Sequence, residues 1–296
     1  MKSYLLTPFL ILLHCLGPVS NAAADVTFDH DTTLSGIINV TQDIILTDSA
    51  TLNVAAGSTL LMSEGVSIKG GANCHIIIQG TSSNKVIVKN AVPNTYWGQL
   101  IVSGKSASME IYFADIMCGQ TLAMDSSTLI IEDSHLHDYL KLPTKNIVYT
   151  GNASSFHMNR CHVSNYWQLN HYKTPILVEN SLFEYIHEDG IDMDNSPSAI
   201  IRNCTFRNGL CQRGRIHSVD AIDFGKFDLD GIGSSGEVRN CLFYNITDKG
   251  VSAGEGCAGC AGVRPELQPG SHHSRSEGLR AASFHNPSGP VRSRKG

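Results

Sequence analysis

Residues 176–183 read ILVENSLF and residues 199–206 read AIIRNCTF. Each runs apolar, variable, apolar, then two mostly polar residues, then small, variable, apolar. The same eight-residue pattern occurs at 109–116 (MEIYFADI), 129–136 (LIIEDSHL), 156–163 (FHMNRCHV) and 236–243 (GEVRNCLF). Period-two alternation sends the first and third residues of a unit to one face of a strand, and the polar pair turns a corner that resets the phase. Three inward columns follow. One holds Ile111, Ile131, Met158, Val178, Ile201 and Val238. A second, beyond the bend, holds Ile116, Leu136, Val163, Phe183, Phe206 and Phe243. The third is small: Ala114, Ser134, Cys161, Ser181, Cys204 and Cys241. Asp133, Asn180, Asn203 and Asn240 occupy the corner, and these residue types tolerate the left-handed backbone that a sharp bend needs.

The units start 20, 27, 20, 23 and 37 residues apart. Spacings near 20 to 27 suit one coil of a parallel β-solenoid; helical repeats would need longer units with a 3.6-residue period, which is absent. The 37-residue step implies an insertion, supplied by CQRGRIHS (211–218) or FDLDGIGSSG (227–236). The expected fold is all-β, a right-handed single-stranded parallel β-helix over residues 25–255.

The pattern resembles the β-helix of the pectin-lyase-like superfamily. SATLNVAAGSTLLM (49–62), HIIIQGTSSNKVIVKN (75–90) and WGQLIVSG (97–104) look like the opening coils of secreted β-helix proteins. More narrowly, EDGIDMDNS (188–196), DAIDFG (220–225) and DKGVSAGE (248–255) are similar to the β-helix regions beside CotH-type kinase and lamin-tail domains of bacterial surface proteins. The superfamily hosts lyases, hydrolases, epimerases, adhesins and inert scaffolds, so the resemblance implies a fold rather than an activity.

The two ends differ from this body. Residues 1–24 carry Lys2, the apolar run YLLTPFLILLHCLGPV and small residues at Ala22 and Ala24. That is the pattern of a secretory signal peptide, too short and wrongly flanked for a spanning helix, so export without stable membrane insertion is expected. Residues 256–296 lack alternation and hold four of the ten prolines. Such a segment buries too little surface to order itself, and a disordered tail is expected. The resemblance implies further coils at that point, which marks the tail as truncated or frame-shifted and the chain as a fragment of a larger cell-surface protein in one alternative reading.

The formal charge is −5. Residues 256–296 hold six Lys/Arg against two Glu, and Lys2 adds one positive charge, which leaves −10 on residues 25–255. An acidic body argues against nucleic acid as a partner and is compatible with bound cations. Of nine cysteines, Cys15 lies in the signal, and the other eight are too sparse for a disulfide-dense scaffold. Cys204 and Cys241 recur at equivalent repeat positions and are expected as small buried residues. CAGC (257–260) resembles a redox motif or half of a zinc site, but no second pair follows.

HEDGIDMDNS (187–196) concentrates the acids. Aligning the last coils places Asp192, Asp223 and Ser252 in one outward column, with Asp194 two positions on, facing Gly225 and Gly254. Asp189, Asp220 and Lys249 share a column near the preceding corner. Equivalent positions of stacked coils lie about 4.8 Å apart. Carboxylates at that separation repel unless a cation, a raised pKa or a neighbouring base intervenes. Calcium takes six to eight oxygens, and Asp192, Asp194 and Asp223 are its candidate ligands. Pectate-lyase-like enzymes, by resemblance, combine such a face with a basic residue that removes a sugar-ring proton. The catalytic candidates are then Asp192, Asp223, Lys226 and Lys249, with Arg213 and Arg215 nearby. No lyase signature surrounds them, and the histidine and Arg-x-Lys element of galacturonan hydrolases are missing. The competing reading gives Asp189, Asp220 and Asp248 to corner duty, because aspartate side chains cap local backbone groups.

Trp97 and YWQLNHY (166–172) offer aromatic platforms for sugars, although Trp97 also suits a packed coil edge. His135 and His162 fall in one outward column, where Asp115 and Thr205 make the surroundings too mixed for a metal pair. Asn39, Asn152, Asn203 and Asn245 begin Asn-x-Ser/Thr sequons. The leading expectation is a secreted, non-catalytic β-helix for a polysaccharide or cell-surface component. The competing one is a calcium-dependent uronan lyase acting by β-elimination.

Overall fold

The computed structural model describes residues 24–139, 146–152, 154–209, 219–225 and 233–253. The expected signal segment up to Ala23, the tail at 256–296, the insertion at 211–218 and Lys226 lie outside them. The described chain is all-β. Twenty-eight short strands form three parallel sheets of ten, nine and nine strands, and each strand pairs with the third strand before and after it. This is a right-handed parallel β-helix. One turn near the middle illustrates it: Gln168–Tyr172 belongs to the first sheet, Ile176–Glu179 to the second and Leu182–Ile186 to the third.

The inward columns stack as the alternation requires. Ile111, Ile131, Met158, Val178, Ile201 and Val238 pair in unbroken succession along the second sheet. Ile116, Leu136, Val163, Phe183, Phe206 and Phe243 do so along the third. Phe206 lies between Phe183 and Phe243, with ring centroids 4.6 and 5.4 Å away, and stacks on both. Because every turn of the chain adds one layer to this interior, the core is a continuous apolar rod. The small column fits the tight bend between the second and third sheets, where Cys161, Cys204 and Cys241 are buried. All five cysteines among the described residues are unbridged thiols.

From the turn at Phe113 onward, the corner between the second and third sheets is left-handed. Phe113, Asp133, Arg160, Asn180, Asn203 and Asn240 have φ between 47° and 56°. Asparagine there also stacks: Asn180, Asn203 and Asn240 each donate an amide hydrogen to the asparagine one layer back, at 2.9, 3.2 and 3.4 Å. A second left-handed column, absent from the eight-residue pattern, runs along the third sheet through Cys118, Asp138, Asn165, Tyr185, Asn208 and Asn245. It begins after the strand Ala114–Met117 and interrupts the regular backbone of the later third-sheet strands. No helix among the described residues is long and apolar enough to cross a membrane.

Candidate functional site

The outward face of the first sheet changes character along the solenoid. One register column runs Ile45, Lys69, Ile101, Ala123, then Tyr149, Asn170, Asp192, Asp223 and Ser252. From Tyr149 onward it is aromatic, amide and carboxylate. Asp192 and Asp194 are two residues apart on one strand, Ile191–Asp194, so both point outward while Ile191 and Met193 enter the core. Asn170 Nδ2 donates to Asp192 Oδ2 at 2.6 Å. Asp194 leans toward the next turn, where a Cβ on Gly225 would come within 2.5 Å of Asp194 Oδ1 and 2.8 Å of the Met193 carbonyl oxygen; the backbone contact is the one that requires glycine there.

The acids nearer the preceding corner have a backbone role. Asp189 Oδ1 accepts the Asp220 N–H at 3.2 Å, and Asp220 Oδ1 accepts the Lys249 N–H at 3.0 Å. The same device occurs at the other end of the molecule, where Asp31 and Asp43 accept the N–H groups of Thr51 and Ser67. A carboxylate at the corner thus satisfies a donor that the next turn would otherwise leave orphaned.

Crowding of like charges marks the site. Burial, reinforced by Asp194, Asp189 and Asp223, pushes Asp192 up to about 7, against which the Asn170 hydrogen bond works. Burial also raises Asp189 to about 7, with Asp223, Asp220 and Glu188 adding to it. Asp194 is raised by burial and by Asp223. Lys249 goes the other way for a base: its hydrogen bond to Asp248 at 3.1 Å and the nearby Asp220 hold it protonated. Lys226, Arg213 and Arg215 lie outside the described residues.

Asp192, Asp194 and Asp223 offer the oxygen donors that calcium takes. Among the described residues, however, the one group of three potential ligands whose atoms all lie within 4.8 Å of one another is a different set, Asp115, His135 and His137. Asp192, Asp194 and Asp223 are not gathered within that distance. No family model, curated protein or solved structure matches the chain. The architecture and the site chemistry carry the functional reading.

Several expected residues turn inward. Trp97 is fully buried, donates from Nε1 to the Met117 carbonyl at 2.7 Å and meets the Tyr139 ring edge-on. Within 166–172, Tyr166, Trp167, Leu169 and His171 are buried, which leaves Gln168, Asn170 and Tyr172 on the outer face. His171 accepts or donates one hydrogen bond with Thr150 at 2.7 Å, and burial drives it down to about 3. The sequon residues Asn39, Asn152, Asn203 and Asn245 are all exposed.

A second polar network on the third sheet was not anticipated as a unit. Asp115 pairs in register with His135 and His135 with His162, while the adjacent outward column holds His137, Ser164, Glu184 and Arg207. Glu184 accepts from His162 at 2.8 Å and from Arg207 Nε at 2.6 Å. Burial opposes ionisation of Glu184, but Arg207 and His162 outweigh it and lower its pKa. Asp115 is lowered, chiefly by its hydrogen bond with His137. The clue in the sequence is HLH at 135–137: two histidines two apart on a strand share one face.

Proposed function

We propose that the chain is an exported β-helix scaffold whose first sheet binds a polysaccharide or a cell-surface glycan through the strip Tyr149, Asn170, Asp192 and Asp223. The observation that carries this reading is the unbroken register column of one aromatic, one amide and two carboxylate side chains on a single flat face. Sugars are recognised by aromatic faces that pack on C–H groups and by planar polar groups that hydrogen-bond hydroxyls, and a sheet spaces such groups at about 4.8 Å along its length. Tyr172 and Asp194, in register with each other, widen the strip. Asp192, Asp194 and Asp223 are the residues that would hold calcium, which would neutralise the column and lend coordination sites to saccharide oxygens.

The state of Lys249 counts against this residue as the base of a uronan lyase. A proton-abstracting base must reach its unprotonated form near neutral pH, and this lysine is ion-paired with Asp248 and raised above its usual value. The pectin-lyase-like resemblance agrees with a polysaccharide partner without requiring catalysis.

Immobilised uronans and neutral polysaccharides, presented to the full chain with and without calcium, test the reading. Retention is expected on at least one polymer, with loss in Asp192→Asn/Asp223→Asn and no rise in the ultraviolet absorbance of unsaturated uronate. A rise in that absorbance would replace the scaffold with a lyase. Retention unchanged in the double variant would move the binding surface elsewhere.

A further inference from the structure

We infer that Asp115, His135 and His137 form a binding site for a divalent transition metal, with Zn²⁺ the best-matched ion. The site lies on the third sheet and does not rest on the first-sheet reading.

The donor geometry comes first. A carboxylate oxygen of Asp115 and one ring nitrogen from each histidine all lie within 4.8 Å of one another. His137 Nε2 is 2.9 Å from Asp115 Oδ1, and His135 Nδ1 is 3.6 Å from the same oxygen. Tetrahedral zinc with bonds of about 2.0–2.1 Å requires donors about 3.3 Å apart, which those two distances bracket. At 3.6 Å the His135 nitrogen is beyond hydrogen-bonding distance of the carboxylate; its ring stacks on His137 with centroids 4.2 Å apart and planes 20° from parallel, so metal binding requires one ring to rotate until both lone pairs meet the ion.

The outer nitrogens supply the independent observation. In metal sites the non-ligating imidazole nitrogen is held by a carboxylate or another acceptor, which fixes the tautomer and the ring orientation. Both histidines have this arrangement: His137 Nδ1 lies 2.8 Å from Asp138 Oδ2, and His135 Nε2 lies 3.0 Å from Ser164 Oγ. Asp138 is itself fixed by Asn165, whose Nδ2 donates to Asp138 Oδ1 at 2.5 Å. The left-handed backbone at Asp138 aims this carboxylate back at the ring beside it.

The site is partly open. Its side chains are 32%, 29% and 17% exposed for Asp115, His135 and His137. Two imidazoles and one carboxylate leave a coordination position for water or an incoming oxygen ligand, as in zinc sites that are not purely structural. His135 also lines a groove of about 510 Å³ together with His162, Lys85 and Arg160. His162 stacks on His135 at 4.3 Å but directs Nε2 to Glu184, which keeps it out of the ligand set.

Equilibrium dialysis of the full chain against Zn²⁺, followed by metal analysis, tests the assignment. One ion per chain is expected, with binding lost in His135→Ala and in His137→Ala, weakened roughly 10–100-fold in Asp138→Asn, and unchanged in His162→Ala. The chain has other zinc-prone residues, His272, His273, Cys257 and Cys260; replacing all four by alanine should leave the ion in place. Absence of an ion, its retention in both His135→Ala and His137→Ala, or its loss in the four-residue variant would overturn the proposal. Should an alanine variant fail to fold, Co²⁺ added to the unaltered chain decides the question. Paramagnetic shifts on the ring protons of His135 and His137 are expected, and shifts confined to other histidines would refute the site.

Discussion

On the first sheet Asp192 has Asn170 on one side and Asp223 on the other; on the third, Asp115 has His135 beside it in register and His137 two residues further on. Strand spacing and outward orientation are the same in both places. What differs is the neighbour that the register supplies. Burial, reinforced by like charges, raises Asp192 to about 7, whereas a histidine hydrogen bond lowers Asp115. A solenoid repeats position without repeating sequence, so one substitution per turn decides whether a column stores repulsion or relieves it. The first sheet keeps its acids in a form that a cation or a sugar hydroxyl would satisfy. The third sheet answers each acid internally, with His137 at Asp115 and Arg207 at Glu184.

The sharpest break in that contrast comes from removing one charge on the strained side. The unfolded chain ionises Asp192 near its ordinary 3.8, while the native chain holds the proton to about 7. Stability from this group is therefore undiminished below the unfolded value and falls as pH rises through the native one. Asp192→Asn should raise stability by up to about 4 kcal/mol at pH 8 and by less than about 1 kcal/mol at pH 4. Thermal unfolding at the two pH values checks this, and an equal effect at both would remove the raised Asp192 pKa from the account.

A smaller effect of opposite sign is expected on the relieved side. Glu184, whose side chain is only 9% exposed, takes hydrogen bonds from His162 and Arg207. Glu184→Gln should lower stability by about 2 kcal/mol near pH 7, the scale of a charge-assisted hydrogen bond. Urea unfolding measures it, and a stabilising result would make the two faces alike.

Much of this architecture was legible beforehand because it depends on period-two alternation. Ile111 to Val238 and Ile116 to Phe243 stack in the registers that the eight-residue units require, and the Asp192–Asp223 pairing follows from the same alignment. The left-handed column through Asp138 and Asn165 was hidden, since Cys118 and Tyr185 interrupt its Asp and Asn residues and it lies outside the eight-residue unit. The metal-ligand set was missed for a related reason. Reading down the His135 column finds Asp115 and His162, but the second imidazole comes from His137, two residues along the strand. Contacts across a sheet face run in both directions, and alignment of repeats reveals only one of them. Lys226, Arg213 and Arg215 depend on insertions that no repeat constrains, so their relation to the acids could not be read from the pattern.

The most direct measurement is a site-resolved titration of the aspartate carboxyl carbons by NMR from pH 2 to pH 9. The account predicts that Asp192 titrates close to pH 7 and that Asp115 titrates below the ordinary aspartate value of 3.8. Coincident midpoints for the two residues would contradict it, because register would then have no control over the charge state of either face.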